Sequence, residues 1–396
     1  MTRVAYVSAD RGVPIFGRKG CSLHAQEVLL AMLRHGAAVD LLTTSVGGEP
    51  PAGLEQLNVH PLPPPPKGEP AAREQAALAG NEELSTQLAA RGPFDFVYER
   101  YSLWSYAGME FARESDVAGL LEVNAPLIEE QAQYRVLVDR DGAERVAHRA
   151  FAAATALVAV SDEVAHWLEQ FPGVRGKVHV VPNGIRPERF PEGLVPALPA
   201  TPGVFTVGFV GTLKAWHGLS VLVDAFARLR ARHEDTRLLI VGDGPERERI
   251  EADLARRGLL EAATLTGSVP AAAVPALLAS MDAAVAPYPA LDHFYFSPLK
   301  VYEYMAAGLP VVASSLGQLQ KLIKHRQTGL LVAPGDAAQL AGALEELTLT
   351  PALRTSLGRA AREMVLHEHT WDAVAQKIFT LAGRSPVETL TAPPGP

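Results

Sequence analysis

The stretch Ser297-Pro298-Leu299-Lys300, followed by Glu303, has the residue types and spacing that point most directly to chemistry. Ser297 suits a helix N-cap, Pro298 a first helical residue and Gly308 a terminator, which predicts a helix over 298–307. Lys300 then falls in the first turn, where the helix dipole disfavours a cation. An anion bound at that helix start would remove the conflict. Glu303 is one turn further on, placed to accept hydrogen bonds from a diol such as a ribose. Taken in isolation, the same glutamate reads equally as a structural charge on a helix.

Three other turns carry related features. Gly211-Thr212-Leu213-Lys214-Ala215-Trp216-His217-Gly218 leads into a helix and holds two side chains, Lys214 and His217, that would both face a diphosphate or else be solvated in the loop. Gly242 lies in Val241-Gly242-Asp243-Gly244-Pro245, a turn with proline set for the first turn of a helix. Near the start, Gly12, Gly17 and Gly20 precede a helix expected from about Ser22, so Gly20 is a candidate for anion contact through a helix N-terminus. That segment has neither the Rossmann nor the P-loop glycine spacing, and a plain strand-to-helix loop explains it as well. Arg100, Glu122, Asn124, Glu129 and Glu130 lie at or just beyond strand ends in the first half, and are candidates for a second ligand. The acidic pair would grip an amino or hydroxyl-rich molecule, or serve only as negative charge early in a helix. No cluster with metal-ligand spacing is visible, and a metal is not expected.

Positioning these residues requires a scaffold, and the apolar pattern supplies one. Short runs apolar on both faces occur at 4–7, 39–43, 94–98, 119–123, 156–160 and 178–181. They resume at 204–210, 238–241, 263–266, 283–286, 311–313 and 329–332. Such runs are what buried parallel strands look like, and the segments between them have helical spacing. Leu23, Val28, Leu29, Met32 and Leu33 followed by Gly36, and Val221, Leu222, Ala225, Phe226 and Leu229, are two examples. The expected fold class is α/β, with two doubly wound Rossmann-like domains facing each other across a cleft. The proline-loaded stretch 191–203 reads as the linker between a domain over 1–190 and one over 204–370. A second proline-rich stretch, 61–70, reads as a stiff extended surface loop.

Composition narrows the classes of function. The 396 residues are 48% hydrophobic and 20% charged, and 33 Gly and 31 Pro occur without period, which excludes collagen-like and low-complexity chains. A net charge of −8 gives no bulk attraction to phosphate backbones, so nucleic acid polymers are not expected partners. One cysteine, Cys21, excludes an internal disulfide framework and suits a reducing compartment. No run reaches the length of a membrane span, residues 1–9 do not form a signal peptide, and 71–91 lacks a basic amphipathic face. A cytoplasmic location is expected; membrane association is left open, with no sequence feature that supports it.

Taken in order, Val181-Pro182-Asn183-Gly184-Ile185, the glycine-rich loop 211–218, Val241-Gly242-Asp243-Gly244-Pro245 and Ser297-Pro298-Leu299-Lys300 running on to Glu303-Tyr304-Met305-Ala306-Ala307-Gly308-Leu309-Pro310 resemble the retaining glycosyltransferases of family 4, with their GT-B fold. Thr370-Trp371-Asp372 fits too, opening a last helix, about 371–385, that in the family returns to the N-terminal domain. The resemblance implies a metal-independent, retaining transfer of a sugar from a nucleotide-sugar to an acceptor hydroxyl. No cofactor is expected beyond that co-substrate. It implies donor contacts at Gly20, Gly211, His217, Gly242, Ser297 and Leu299, with Lys214, Lys300 and Glu303 nearest the chemistry. Glu303 matches the second glutamate of the family's Glu-(seven residues)-Glu motif, which typically holds the donor ribose, and the N–H groups of 297–300 would hold phosphate. Arg100, Asn124 and Glu129 fall on the acceptor side, for a sugar, a lipid-linked or another small acceptor.

Four positions depart from the family pattern. Tyr295 stands where the first glutamate of the motif is expected, Thr212 and His217 replace the usual Arg and Lys, and Asn124 replaces a histidine. These departures leave open a non-catalytic nucleotide-binding scaffold, or another GT-B enzyme such as a sugar-nucleotide epimerase.

Overall fold

The computed structural model describes residues 1–64, 66–199, 201–291 and 294–385. Pro65 of the proline stretch and Ala200 of the expected linker lie outside the described residues. The chain divides into two compact units, one of 1–183 with 295–297 and 371–396, the other of 184–294 with 298–370.

Seven strands form the sheet of the first unit: β1 (Thr2–Ser8), β2 (Ala37–Thr43), β3 (Asn58–Pro61), β4 (Phe96–Arg100), β5 (Ala118–Val123), β6 (Ala156–Ala159) and β7 (Val178–Val180). Their order is β3-β2-β1-β4-β5-β6-β7, the doubly wound arrangement with one reversal beside β1. All pairs are parallel. The central strands are apolar on both faces because helices cover both sides. The β3 strand escaped the apolar pattern because it is a polar, half-exposed edge strand of four residues. Register brings the carboxyl ends of three strands level, with Ser8 opposite Arg100 and Arg100 opposite Glu122. The helix Trp371–Leu381 also packs in this unit: Trp371 is buried, Phe379 meets Phe96 edge-on, and Asp372 pairs with Arg34 at 2.9 Å.

The second unit has six parallel strands, β8 (Phe205–Val210), β9 (Thr236–Val241), β10 (Ala263–Leu265), β11 (Ala283–Ala286), β12 (Val311–Ser314) and β13 (Leu330–Val332). Their order is β10-β9-β8-β11-β12-β13. The helix Leu299–Ala306 enters after β11, and Pro351–Glu368 packs against it. A Cβ at Gly358 would lie 2.0 Å from the Gly308 carbonyl oxygen, so these segments meet backbone to backbone.

Residues 184–190 belong to the second unit rather than the first, ahead of the proline-rich stretch expected to divide them. Packing explains the difference. Ile185 bridges to Thr370, and Phe190 is fully buried with its carbonyl accepting from Arg362 Nη2 at 2.6 Å.

On β4, Glu99 faces the apolar side of the first sheet. It is fully buried; Ser105 Oγ donates to Oε1, and Oε2 has no partner. Burial raises its pKa to about 7, against the hydrogen bond from Ser105. The folded state therefore holds this proton to higher pH than the unfolded chain. Stability attached to Glu99 is complete below pH ~4.5 and falls as pH rises to ~7, by about 3 kcal/mol at ~1.4 kcal/mol per unit. Urea unfolding at pH 5 and pH 8 should show this loss, and Glu99→Gln should flatten it.

Candidate functional site

In the second unit, the site is built on turns at the carboxyl ends of β8 and β9. Gly211 leaves β8 at φ +145°, and Gly242 leaves β9 at φ +135°. A Cβ on Gly242 would sit 2.1 Å from the Gly211 carbonyl oxygen, and one on Gly211 would sit 2.9 Å from Lys300 Nζ. A bare Gly242 therefore lets the two turns meet backbone to backbone, and a bare Gly211 leaves room for Lys300 Nζ at the end of β8.

Lys300 lies in the first turn of the helix Leu299–Ala306. Its Nζ is buried, has no hydrogen-bond partner, and lies 4.2 Å from the Phe209 ring centroid and 5.6 Å from that of Tyr288. The ring faces attract the ammonium but do not replace its water, and burial lowers its pKa to about 7. Tyr304, on the same helix, ties it to β8: its hydroxyl accepts from Val210 N at 2.7 Å.

His217 ends a short 3₁₀ turn and packs edge-on to Tyr288 at 5.7 Å. Its Nδ1 lies 2.6 Å from Thr212 O, which assigns the proton to Nδ1 and leaves Nε2 as an acceptor. Burial, followed by the charges of Lys300 and Lys214, lowers its pKa to about 3. Both effects favour the neutral imidazole at His217. Lys214 stands over the Trp216 ring, with Nζ 4.4 Å from the centroid. Gly218 follows at φ +70°, where a Cβ would lie 1.7 Å from Pro287 O.

Glu303, one turn beyond Lys300, is paired. Arg189 Nη1 donates to Oε1 at 2.8 Å, and both side chains are mostly buried. Burial raises the Glu303 pKa, and Arg189 opposes that.

The helix start differs from expectation. Its N-cap is Pro298, with no side-chain cap, and Leu299 is the first helical residue. The hydroxyl of Ser297 is turned elsewhere, accepting from Asn183 N at 3.2 Å, while Asn183 Nδ2 donates to Ser297 O at 2.6 Å. Ser297 and Asn183 both belong to the first unit.

A second polar centre lies in the first unit, around Glu122 at the end of β5. Arg100 Nη1 donates to Oε1 at 2.9 Å, and Asn124 Nδ2 donates to the same oxygen. His24 Nε2 lies 2.9 Å from it, and Tyr98 donates to Oε2. Burial alone would raise the Glu122 carboxyl; His24 foremost, then Arg100 and Tyr98, hold it well below the usual carboxylate range. Arg100 and Asn124, expected to contact a ligand, thus converge on Glu122, and the charge of Arg100 is balanced within the protein. Glu129 is not part of this cluster and pairs with Arg140 at 3.4 Å on the exposed surface. Tyr295 donates to Glu130 Oε2 at 3.0 Å. Gly20 is the first residue of the helix Gly20–Arg34, whose N-cap is Lys19.

Sequence reasoning missed His24, Tyr98 and Arg189. Tyr98 was within reach, because strand parity puts it on the same face as Arg100. His24 and Arg189 carry no local signal, since their partners are distant in sequence. Among the described residues, no group of three or more His, Cys, Asp and Glu side chains is arranged to hold a metal ion. Nor is any described helix long and apolar enough to cross a membrane.

Comparison with known proteins adds an independent line. Residues 18–189 match the family model described as Glycosyltransferase Family 4, and residues 204–349 the model described as Glycosyl transferases group 1. Glycogen synthase of Mycobacterium tuberculosis is 31% identical over 221 residues, covering 56% of this chain and 51% of the relative. The chain spans about half the length of such curated relatives. Sucrose-phosphate synthase from Thermosynechococcus elongatus has a TM-score of 0.74 at 23% identity, over 96% of this chain and 98% of that one. HepE of Anabaena in complex with UDP-glucose has a TM-score of 0.71 at 17% identity, over 96% and 99%. The fold is GT-B: two Rossmann-like domains with parallel sheets.

Lys300→Met removes a buried ammonium that has no partner, so it should stabilise the unliganded protein at pH 6 by about 1–3 kcal/mol. Urea unfolding measures this, and the gain should shrink above pH ~7, where Lys300 is neutral in the wild type.

Proposed function

With glycosyltransferase models matching both halves of the chain, we propose that the protein is a retaining glycosyltransferase that moves a hexosyl group from a nucleotide-sugar to an acceptor hydroxyl. The observation that carries this reading is Lys300, a buried ammonium with no hydrogen-bond partner among the described residues, set beside the glycine turns of β8 and β9. An unpaired buried cation is costly unless an anion completes it, and a diphosphate is the anion such turns accommodate. UDP-glucose, the ligand of the Anabaena relative, is the first donor to test.

In this reading Lys300 and Lys214 offset the charge that develops on the leaving diphosphate, together with N–H groups of Leu299 and the 211–218 turn. Glu303 accepts from the donor ribose through Oε2, since Oε1 is taken by Arg189. His217, neutral, accepts from a sugar hydroxyl through Nε2, which a cation would not do. The acceptor hydroxyl attacks on the face from which the diphosphate departs, and a diphosphate oxygen takes its proton, so configuration is retained without a protein base. No resident cofactor or metal is invoked. The charge-balanced Glu122–Arg100 centre favours a neutral, hydroxyl-rich acceptor over an anionic one. A cytoplasmic location completes the proposal and suits the single free cysteine.

Calorimetry against UDP, GDP, ADP and TDP, followed by release of nucleoside diphosphate from the corresponding sugars, tests the reading. Binding without turnover would support the non-catalytic scaffold instead. Lys300→Ala and Glu303→Ala should each lower kcat/KM by about 10²–10³; unchanged activity in both would refute the site. A bound diphosphate holds the Lys300 proton more tightly than the empty site does. Diphosphate binding should therefore weaken as pH rises above ~7, with proton uptake at pH 8 that Lys300→Ala abolishes. Titrations in two buffers of different ionisation enthalpy read this directly.

A further inference from the structure

We infer that Arg189 is the positioning residue that aims the Glu303 carboxylate at a ribose diol, and so sets how strongly the protein prefers a ribonucleotide to its deoxy form. The inference rests on the donor-site reading of Glu303.

Geometry on three sides supports it. Arg189 ends the 3₁₀ turn Pro187–Arg189, and its guanidinium is held at several points. Nη1 donates to Glu303 Oε1 at 2.8 Å, Nη2 donates to Ala271 O at 3.0 Å, and Cζ lies 5.4 Å from the Phe190 ring centroid. The next residue, Phe190, is fully buried, and its carbonyl accepts from Arg362 Nη2. Arg362 Nη1 in turn donates to Ala306 O, at the end of the helix that carries Glu303. The turn and the helix are therefore joined at two places: side chain to side chain at Arg189–Glu303, and through Arg362 from Phe190 to Ala306.

This closed circuit ties the carboxylate through Oε1, and in the donor-site reading Oε2 is the atom that meets the ribose. It also works against the burial that would protonate Glu303, keeping an acceptor with open lone pairs. A carboxylate serves a diol well only if it is aimed. Glu303 owes its aim to a residue 114 positions away.

The test compares UDP with 2′,3′-dideoxy-UDP in full-length protein, by calorimetry, or uses the corresponding pair if another base is preferred. Wild type should favour the ribonucleotide by about tenfold to a hundredfold, the worth of charge-assisted hydrogen bonds. Arg189→Met should bind the dideoxy form within about twofold of wild type yet lose most of its preference for UDP. Arg189→Lys, which keeps the charge and guards against a variant that fails to fold, should recover part of that preference. Glu303→Gln should lose the preference, and combining it with Arg189→Met should cost little more. If Arg189→Met weakens both nucleotides equally, or keeps the full preference while Glu303→Gln loses it, the role of Arg189 is overturned and the ribose reading of Glu303 stands. If wild type binds both forms alike, or Glu303→Gln keeps the preference, the ribose reading itself fails and this inference with it.

Discussion

An ammonium buried with no hydrogen-bond partner among the described residues, that of Lys300, is the constraint that meets the turns at the ends of β8 and β9. Gly211, bare of a side chain, leaves room for Lys300 at the end of β8, and bare Gly242 lets the two turns meet. Phe209 and Tyr288 present ring faces that attract the ammonium. Its neighbour His217 is governed first by the same burial and then by the charges of Lys300 and Lys214, which together lower its pKa, while Nδ1 turns to the Thr212 carbonyl.

The polar centre of the first unit follows the opposite logic. Glu122 is as deeply buried, but its oxygens are met by Arg100, Asn124, Tyr98 and His24. A buried ion pair of this kind is completed internally and asks for no ligand charge. The two centres therefore differ in their bonding: the Lys300 ammonium has no hydrogen-bond partner among the described residues, whereas both Glu122 oxygens have partners.

How much of this was legible in the sequence depends on how local the cause is. Buried parallel strands are apolar on both faces, so twelve of the thirteen announced themselves; β3 did not, because an edge strand is half solvated. Lys300 and Glu303 stood out because their helix has its signals within ten residues. The cap on that helix was misread because the Ser297 hydroxyl is claimed by Asn183, 114 residues earlier. Arg189 was invisible for the same reason, its partner lying as far away. The boundary between units also fell earlier than the prolines suggested, since Phe190 is buried by contacts that composition does not reveal.

The short edge strand has a consequence for how the molecule behaves in company. Unpaired strand edges are templates on which other chains pair and aggregate. Here β3 ends at Pro61, Leu62 spends its N–H on Thr43 at 2.7 Å, and Pro63 and Pro64 follow with no N–H to give. His60 is meanwhile drawn inward to Asp40 at 2.8 Å. A strand approaching this end of the sheet meets a four-residue edge that ends in prolines with no N–H to donate, which blunts β-pairing between copies.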